Sequence, residues 1–290
     1  MNAPDRARAG VLLLAHGAPT RIEDVEAYLD NVRGGRPRNQ AVVDEVTHRY
    51  RDIGGASPLL CWTAEQAQAL ERRLGIPVHF AMRNWTPFIK DVVPAIQADR
   101  IAAICLAPQF SELSVGLYRK RTLEVAPNLN YSWADSYHDE PLLIQAFAER
   151  LRPLLPAERV VFTAHSLPER ALANGDPYER ECRATAGLVA KAAGIAAYDF
   201  AFQSQGMTGD KWLGPTVESV FDGYAAAGVR DVVIHNIGFV CDHVEILWDI
   251  DVGFREYAQS KGIAIRRPES LNGSETFTAC LAEVAQRCLA

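Results

Sequence analysis

Short, continuous apolar runs recur along this chain, each followed by Gly, Pro or polar residues and then by an amphipathic stretch. A strand that is apolar at every position must be covered on both faces, so such runs separated by helices predict parallel sheets with helices on either side. The runs fall at 10–15, 77–82, 101–107, 159–164, 198–203 and 231–236. Helical periodicity falls near 22–33, 39–51, 63–74, 87–97, 114–126, 140–153, 177–192, 215–228, 242–260 and 274–289. The expected fold class is α/β with doubly wound sheets.

An internal echo divides this pattern in two. Val11-Leu12-Leu13-Leu14-Ala15-His16-Gly17-Ala18-Pro19 matches the segment from Val160 to Pro168, and both end in Ala-His-x-x-Pro. Asn84-Trp85-Thr86-Pro87 precedes a helix and the strand from Ile101, while Lys211-Trp212-Leu213-Gly214-Pro215 precedes a helix and the strand from Asp231. Two matches in the same order indicate a duplicated βα unit. The 290 residues also exceed the ~100–200 typical of one domain. The expected domains are 1–153 and 154–273, joined near Leu151 to Glu158, with a C-terminal helix at about 274–290 packing back on the first. Ligands on open parallel sheets bind beyond the carboxyl ends of the strands. Those ends carry His16, Gln109, His165, Gln203 to Gln205 and Asn236 to Phe239, so both histidines are expected at one cleft.

The net charge of −6 argues against a general nucleic-acid surface, though local basic groups remain available for an acidic small molecule. The six cysteines include no Cys-x-x-Cys pair or zinc-type spacing, which suits a reducing compartment. No stretch approaches the ~18 apolar residues of a membrane span, and the start lacks the apolar core of a signal peptide. A soluble, cytoplasmic protein is expected.

His165 closes one apolar run, and Glu245 lies in the later segment from Gly238 to Glu245. An imidazole beside a carboxylate suits the handling of a divalent metal and of protons. On a helix over 242–260, Asp242, Glu245, Asp249 and Glu256 share one arc, opposite Val244, Leu247, Trp248, Phe254 and Ala258. Like charges at the i,i+4 pair Glu245 and Asp249 cost a helix roughly 0.2–0.5 kcal/mol unless cations neutralise them. An acidic ridge serving a metal path is one reading. The other makes Asp242 an N-cap and Glu245 the far side of a capping box. His235 ends a strand and reads as structural, whereas Trp85 and Trp212 suit either core packing or stacking on a planar ligand.

These segments carry a resemblance. Thr163 to Pro168, Gln203-Ser204-Gln205-Gly206 with Trp212 to Pro215, and Gly238 to Glu245 resemble signature segments of ferrochelatases, which insert Fe2+ into a porphyrin. Ile53 to Leu59, Met82 to Phe88 and Ala107 to Ser111 match further segments, and the likeness runs in order over roughly residues 10 to 288. The resemblance implies two Rossmann-like, chelatase-type domains with the porphyrin in the cleft between them. It also implies catalytic roles for His165 and Glu245, with His165 accepting a pyrrole proton or ligating iron and Glu245 assisting metal delivery or proton removal.

Chain length and the wording of Ala107 to Tyr118 resemble most the short, soluble bacterial enzymes that metallate coproporphyrin III. That substrate bears twice the propionates of protoporphyrin IX, and the resemblance implies anchors at Arg33, Arg49, Ser57 and Tyr118, with Arg36 nearby. Where those enzymes usually carry tyrosine near the metal, this chain has His16, a candidate substrate contact, metal ligand or proton relay. Gly253 interrupts the acidic ridge, which leaves Asp249 and Asp251. Some members carry an iron–sulfur cluster. Here Cys280 and Cys288 stand alone at the C-terminus and Glu112 occupies the internal cysteine's place, so no cluster is expected. A monomer is expected, with Fe2+ as substrate. Protoporphyrin IX as the substrate, a sirohydrochlorin-type cobalt chelatase and a non-enzymatic porphyrin carrier are the alternatives.

Overall fold

The computed structural model describes residues 8–36, 39–206 and 209–290; the segment 1–7, on which part of the expectation about the start rests, lies outside them. It contains two four-stranded, wholly parallel sheets. Strands β1 (Ala9–Ala15), β2 (Val78–Met82), β3 (Arg100–Cys105) and β4 (Tyr131–Ala134) lie in the order β2-β1-β3-β4. Strands β5 (Arg159–His165), β6 (Asp199–Gln203), β7 (Asp231–Asn236) and β8 (Ala264–Arg266) repeat that order as β6-β5-β7-β8. The apolar runs correspond to β1, β2, β3, β5, β6 and β7. The edge strands β4 and β8 were missed because they are short and partly exposed, and no continuous apolar run marks them.

Helices follow the periodicity closely: α1 (Val25–Arg33), α2 (Gln40–Asp52), α3 (Leu59–Leu74), α4 (Ile89–Val92), α5 (Leu117–Val125), α6 (Pro141–Leu151), α7 (Tyr178–Ala193) and α8 (Val217–Ala226). The helix expected over 242–260 is instead broken. One α-turn, α9 (Val244–Leu247), passes into a π-turn over Asp249–Phe254 and then α10 (Arg255–Ser260). Helix α11 (Glu275–Leu289) packs against α3, α6, β3 and β4.

The central strand shows why the runs are continuous. Val11, Leu12, Leu13 and Leu14 are all fully buried. Val11 and Leu13 pack with Leu70, Phe147 and Leu281 on one face, and Leu12 and Leu14 with Ile89, Val93 and Val115 on the other. The first of these layers continues to Phe162, Val189 and Val233, so one apolar core lies between the two sheets and joins the halves. The echoed Pro segments close the same turn twice. Met82 N–H donates to Pro87 O at 2.7 Å and Phe202 N–H to Pro215 O at 2.8 Å, and both prolines follow cis peptide bonds.

Gly17, just after β1, has φ of +83°, and a Cβ there would lie 2.7 Å from Trp85 N. The chain at His16 can therefore approach the Trp85 turn only through glycine. Gly34 has φ of +62° with open space around it. Gly17→Ala is expected to lower stability by about 1–3 kcal/mol, more than Gly34→Ala, because it adds a clash to the backbone strain. Urea unfolding midpoints of the two variants test the order.

Candidate active site

The ends of β1 and β5 deliver His16 and His165 to one cleft, which is also lined by Tyr118, Phe239, His243 and Glu245. The His165 ring is oriented from behind. Its Nδ1 donates to the Ser166 carbonyl, so the hydrogen sits on Nδ1 and Nε2 is turned toward Glu245 Oε1 at 3.7 Å. The Tyr178 hydroxyl donates to the His165 carbonyl at 3.0 Å. Glu245 stands between two imidazoles, because its Oε2 lies 3.6 Å from His243 Nε2.

The backbone of Glu245 is held by the ends of three strands. Gln203 Nε2 donates to Glu245 O at 2.8 Å, while Gln203 Oε1 accepts from Thr163 Oγ1 at 2.7 Å and Asn236 Nδ2 at 3.0 Å. A buried amide committed on both ends sets that carbonyl with little freedom. At Gly238 the loop crosses β5 so closely that a Cβ would lie 2.9 Å from Ala164 Cβ.

Electrostatics follow from this packing. Burial works against a charged His165, but Glu245 overcomes it and raises the imidazole above its ordinary 6.5. Burial likewise opposes the Glu245 carboxylate, yet His165 and His243 hold it well below the usual range. Each residue therefore favours the charged form of the other. His16 differs: burial, helped by Arg83, lowers it to about 3, so it stays neutral. Its Nε2 lies 3.1 Å from the Tyr28 hydroxyl and 3.0 Å from Asn84 Nδ2, so that nitrogen already has protein partners. Among the described residues no three His, Cys, Asp or Glu side chains are grouped so as to hold a metal by themselves.

Several expected residues have other work. Asp242 neither caps the helix nor joins a ridge: it accepts from Ser270 Oγ, Asn272 Nδ2 and Arg267 Nη1, while His243 takes the N-cap position without a side-chain cap bond. The broken helix also removes the shared arc. Asp249 is paired with Arg49 and accepts from Ser204 Oγ, Asp251 is paired with Arg267, and Glu256 is exposed. Burial, then the nearby Glu245, push Asp249 up to about 6. Asp249, Ser204 and Arg49 line a second, polar hollow with Glu218 and Tyr257.

Of the implied anchors, only Tyr118 lines the cleft; burial raises its hydroxyl to about 12. Arg49 is a strut between the halves, bonded to Glu45 and Asp249 and stacked 4.1 Å over Trp248. Ser57 is buried and accepts from Leu59 N–H at the start of α3. Arg33 ends α1, and Arg36 beside it donates to the Arg33 carbonyl. His235 is structural, facing the Phe147 carbonyl at 3.2 Å.

Sequence reasoning gave no role to Arg83 and noted His243 and Gln203 only by their place beside the site segment and at a strand end. Arg83 lines the cleft, with its guanidinium 4.9 Å over the Tyr118 ring. Its place directly after β2, at a strand's carboxyl end, was the available signal. His243 sits two residues from Glu245, a spacing that separates side chains on a helix. It reaches Glu245 because its own backbone is extended, with φ of −161°. Gln203 was singled out as a strand-end residue, but its hold on Glu245 required the third dimension.

The ferrochelatase family model matches residues 8–289. The chain belongs to the ferrochelatase family. It is 45% identical to a ferrochelatase of Acidobacterium capsulatum over 96% of this chain and 94% of that protein. It is 36% identical to a coproporphyrin III ferrochelatase of Halalkalibacterium halodurans, covering 98% of each. Its fold resembles SirB from Bacillus subtilis, solved with Fe3+, at a TM-score of 0.66 and 13% identity over 98% of this chain and 96% of that one. CbiX, described as the terminal enzyme of sirohaem biosynthesis in denitrifying bacteria, follows at 0.53 and 15% identity over 97% of this chain and 100% of that one. The chain is therefore a metal chelatase of the lyase type, with a porphyrin and ferrous iron as substrates in haem biosynthesis. Among the described residues no helix is long and apolar enough to cross a membrane.

In an imidazole NMR titration, His165 is expected to lose its proton above pH 6.5 and His16 at about 3. Glu245→Gln removes the carboxylate that raises His165, so its midpoint must fall; an unmoved midpoint would show that the pair does not exist in solution.

Proposed function

We propose that the chain inserts Fe2+ into coproporphyrin III, with His165 as the base for the pyrrole protons and Glu245 and His243 as the groups that balance and pass on their charge. The carrying observation is the Glu245 carboxylate set between two imidazoles at the floor of an apolar cleft. Insertion replaces two pyrrole N–H protons by one dication, so two protons must leave for each iron bound. His165 Nε2 has its lone pair directed into the cleft whenever the ring is neutral, and the imidazolium formed on taking a proton lies beside an anionic partner. His243 gives Glu245 a second neighbour through which charge can redistribute before the next proton arrives. Residues 1–153 and 154–273 act in this reading as the two walls of the cleft, with α11 bracing the first.

Coproporphyrin III is favoured because several relatives that cover nearly the whole chain bear that name and because Arg83 supplies a cation at the cleft wall. Arg83 stands beside Tyr118 and its guanidinium suits bidentate pairing with a propionate. Anaerobic competition between coproporphyrin III and protoporphyrin IX with Fe2+ is expected to favour the former; preference for protoporphyrin would overturn the substrate and leave the reaction.

His165→Ala is expected to slow insertion by about 10²–10⁴-fold, the range for loss of a positioned general base, while porphyrin binding followed by fluorescence persists. Near-normal turnover would remove His165 from the reaction. Arg83→Met is expected to raise KM for coproporphyrin III by roughly ten-fold, as for loss of one charge-assisted contact, with a smaller change for protoporphyrin IX.

A further inference from the structure

Asn272 grips the segment that carries His243 and Glu245 from outside the sheet. All four of its polar groups are used. Its N–H donates to Val240 O at 2.9 Å and its Oδ1 accepts from Asp242 N–H at 2.9 Å. Its Nδ2 donates to Asp242 Oδ2 at 2.7 Å, and its carbonyl accepts from Gln66 Nε2 at 2.8 Å. Asn272 has φ of +44°, a conformation for which glycine is the cheapest residue, so a side chain retained there points to the bonds it makes.

Gln66 belongs to α3 in the other half of the molecule. Its Nε2 also contacts Cys241 Sγ at 3.1 Å, so one amide touches the active-site loop and the residue that grips it. Gln66 is 1% exposed and Asn272 6%. The Gln66 Oε1 has no hydrogen-bond partner, a cost of about 1–3 kcal/mol that the two contacts of Nε2 must offset. Asp242, the residue next to His243, takes two further bonds from Ser270 Oγ and Arg267 Nη1.

We propose that Asn272 and Gln66 are positioning residues for metal insertion, clamping the loop from Val240 to Asp242 across the two halves so that His243 and Glu245 meet His165. The clamp touches no substrate. It acts on the spacing of the imidazole–carboxylate–imidazole row, and it rests on the functional reading above. Asn272→Gly keeps the backbone conformation and removes both side-chain bonds. In that variant kcat for Fe2+ insertion into coproporphyrin III is expected to fall about ten- to hundred-fold, the usual effect of misplacing a catalytic group by an ångström, with KM held within about two-fold. Gln66→Met, a substitution from the opposite half, shifts kcat in the same direction by a smaller factor.

Exchange of the two side chains provides the rescue. In the double variant Asp242→Asn with Asn272→Asp, the carboxylate at 272 still accepts from the backbone N–H of residue 242 and the amide at 242 donates in place of the one lost. The double variant is expected to recover most of the kcat lost in Asn272→Asp alone, where two carboxylates would face each other. A folded Asn272→Gly enzyme with unchanged kcat, a loss confined to KM, or an exchange no better than the single change would each overturn the clamp. The His243 NMR resonance in Asn272→Gly and Gln66→Met reads the clamp without turnover, and an unmoved resonance also overturns it. Absence of insertion by the unmodified protein would instead overturn the functional reading, leaving the clamp to be judged by that resonance.

Discussion

The apolar layer between the two sheets is the constraint on which the site depends. Leu13, Leu70, Phe147, Phe162, Val189, Val233 and Leu281 form one continuous core, so the halves are held face to face by buried area rather than by a hinge. Burying side chains of this size contributes about 1.5–3 kcal/mol each, so the layer together outweighs any single polar contact across the cleft. Because β1 and β5 occupy the same place in the two sheets, the core brings their carboxyl ends to one cleft. His16 and His165 therefore share it as a consequence of packing.

Polar groups then refine what the core positions coarsely. Arg49 from α2 pairs with Asp249 and stacks on Trp248, whose indole N–H donates to Asp52 at 2.8 Å. Gln109 Nε2 donates to Ile237 O at 3.1 Å, and Gln66 reaches Cys241 and Asn272. Each contact runs from the first half to the segment from 237 to 249 or to the loop that holds it. The cleft face of the second half is thus braced by the first. Within that frame Glu245 can stay ionised despite burial, because two imidazoles lie within 4 Å of its oxygens.

The sequence made six of the eight strands, most helices and the duplication legible, since each rests on local periodicity. It made His165 and Glu245 legible through their segments. It misled over 242–260, where the charge arc presumes an unbroken helix and the chain instead makes a π-turn at Asp249–Phe254. Arg49 and Ser57 were marked as anchors by resemblance alone, whereas a buried carboxylate claims the first and the start of α3 the second.

What the sequence by itself determined is the alternation that builds two parallel sheets, the family, and the residue types at the strand ends. Hydrophobic periodicity is a local property and needs no partner to be read. Tertiary structure decided which of those residues face each other: that Asp242 turns to Arg267, Ser270 and Asn272, that His243 turns to Glu245, and that Arg83 enters the cleft. A charged or amide side chain takes whichever partner folding brings within reach, and the partners of Asp242 lie 25, 28 and 30 residues away along the chain.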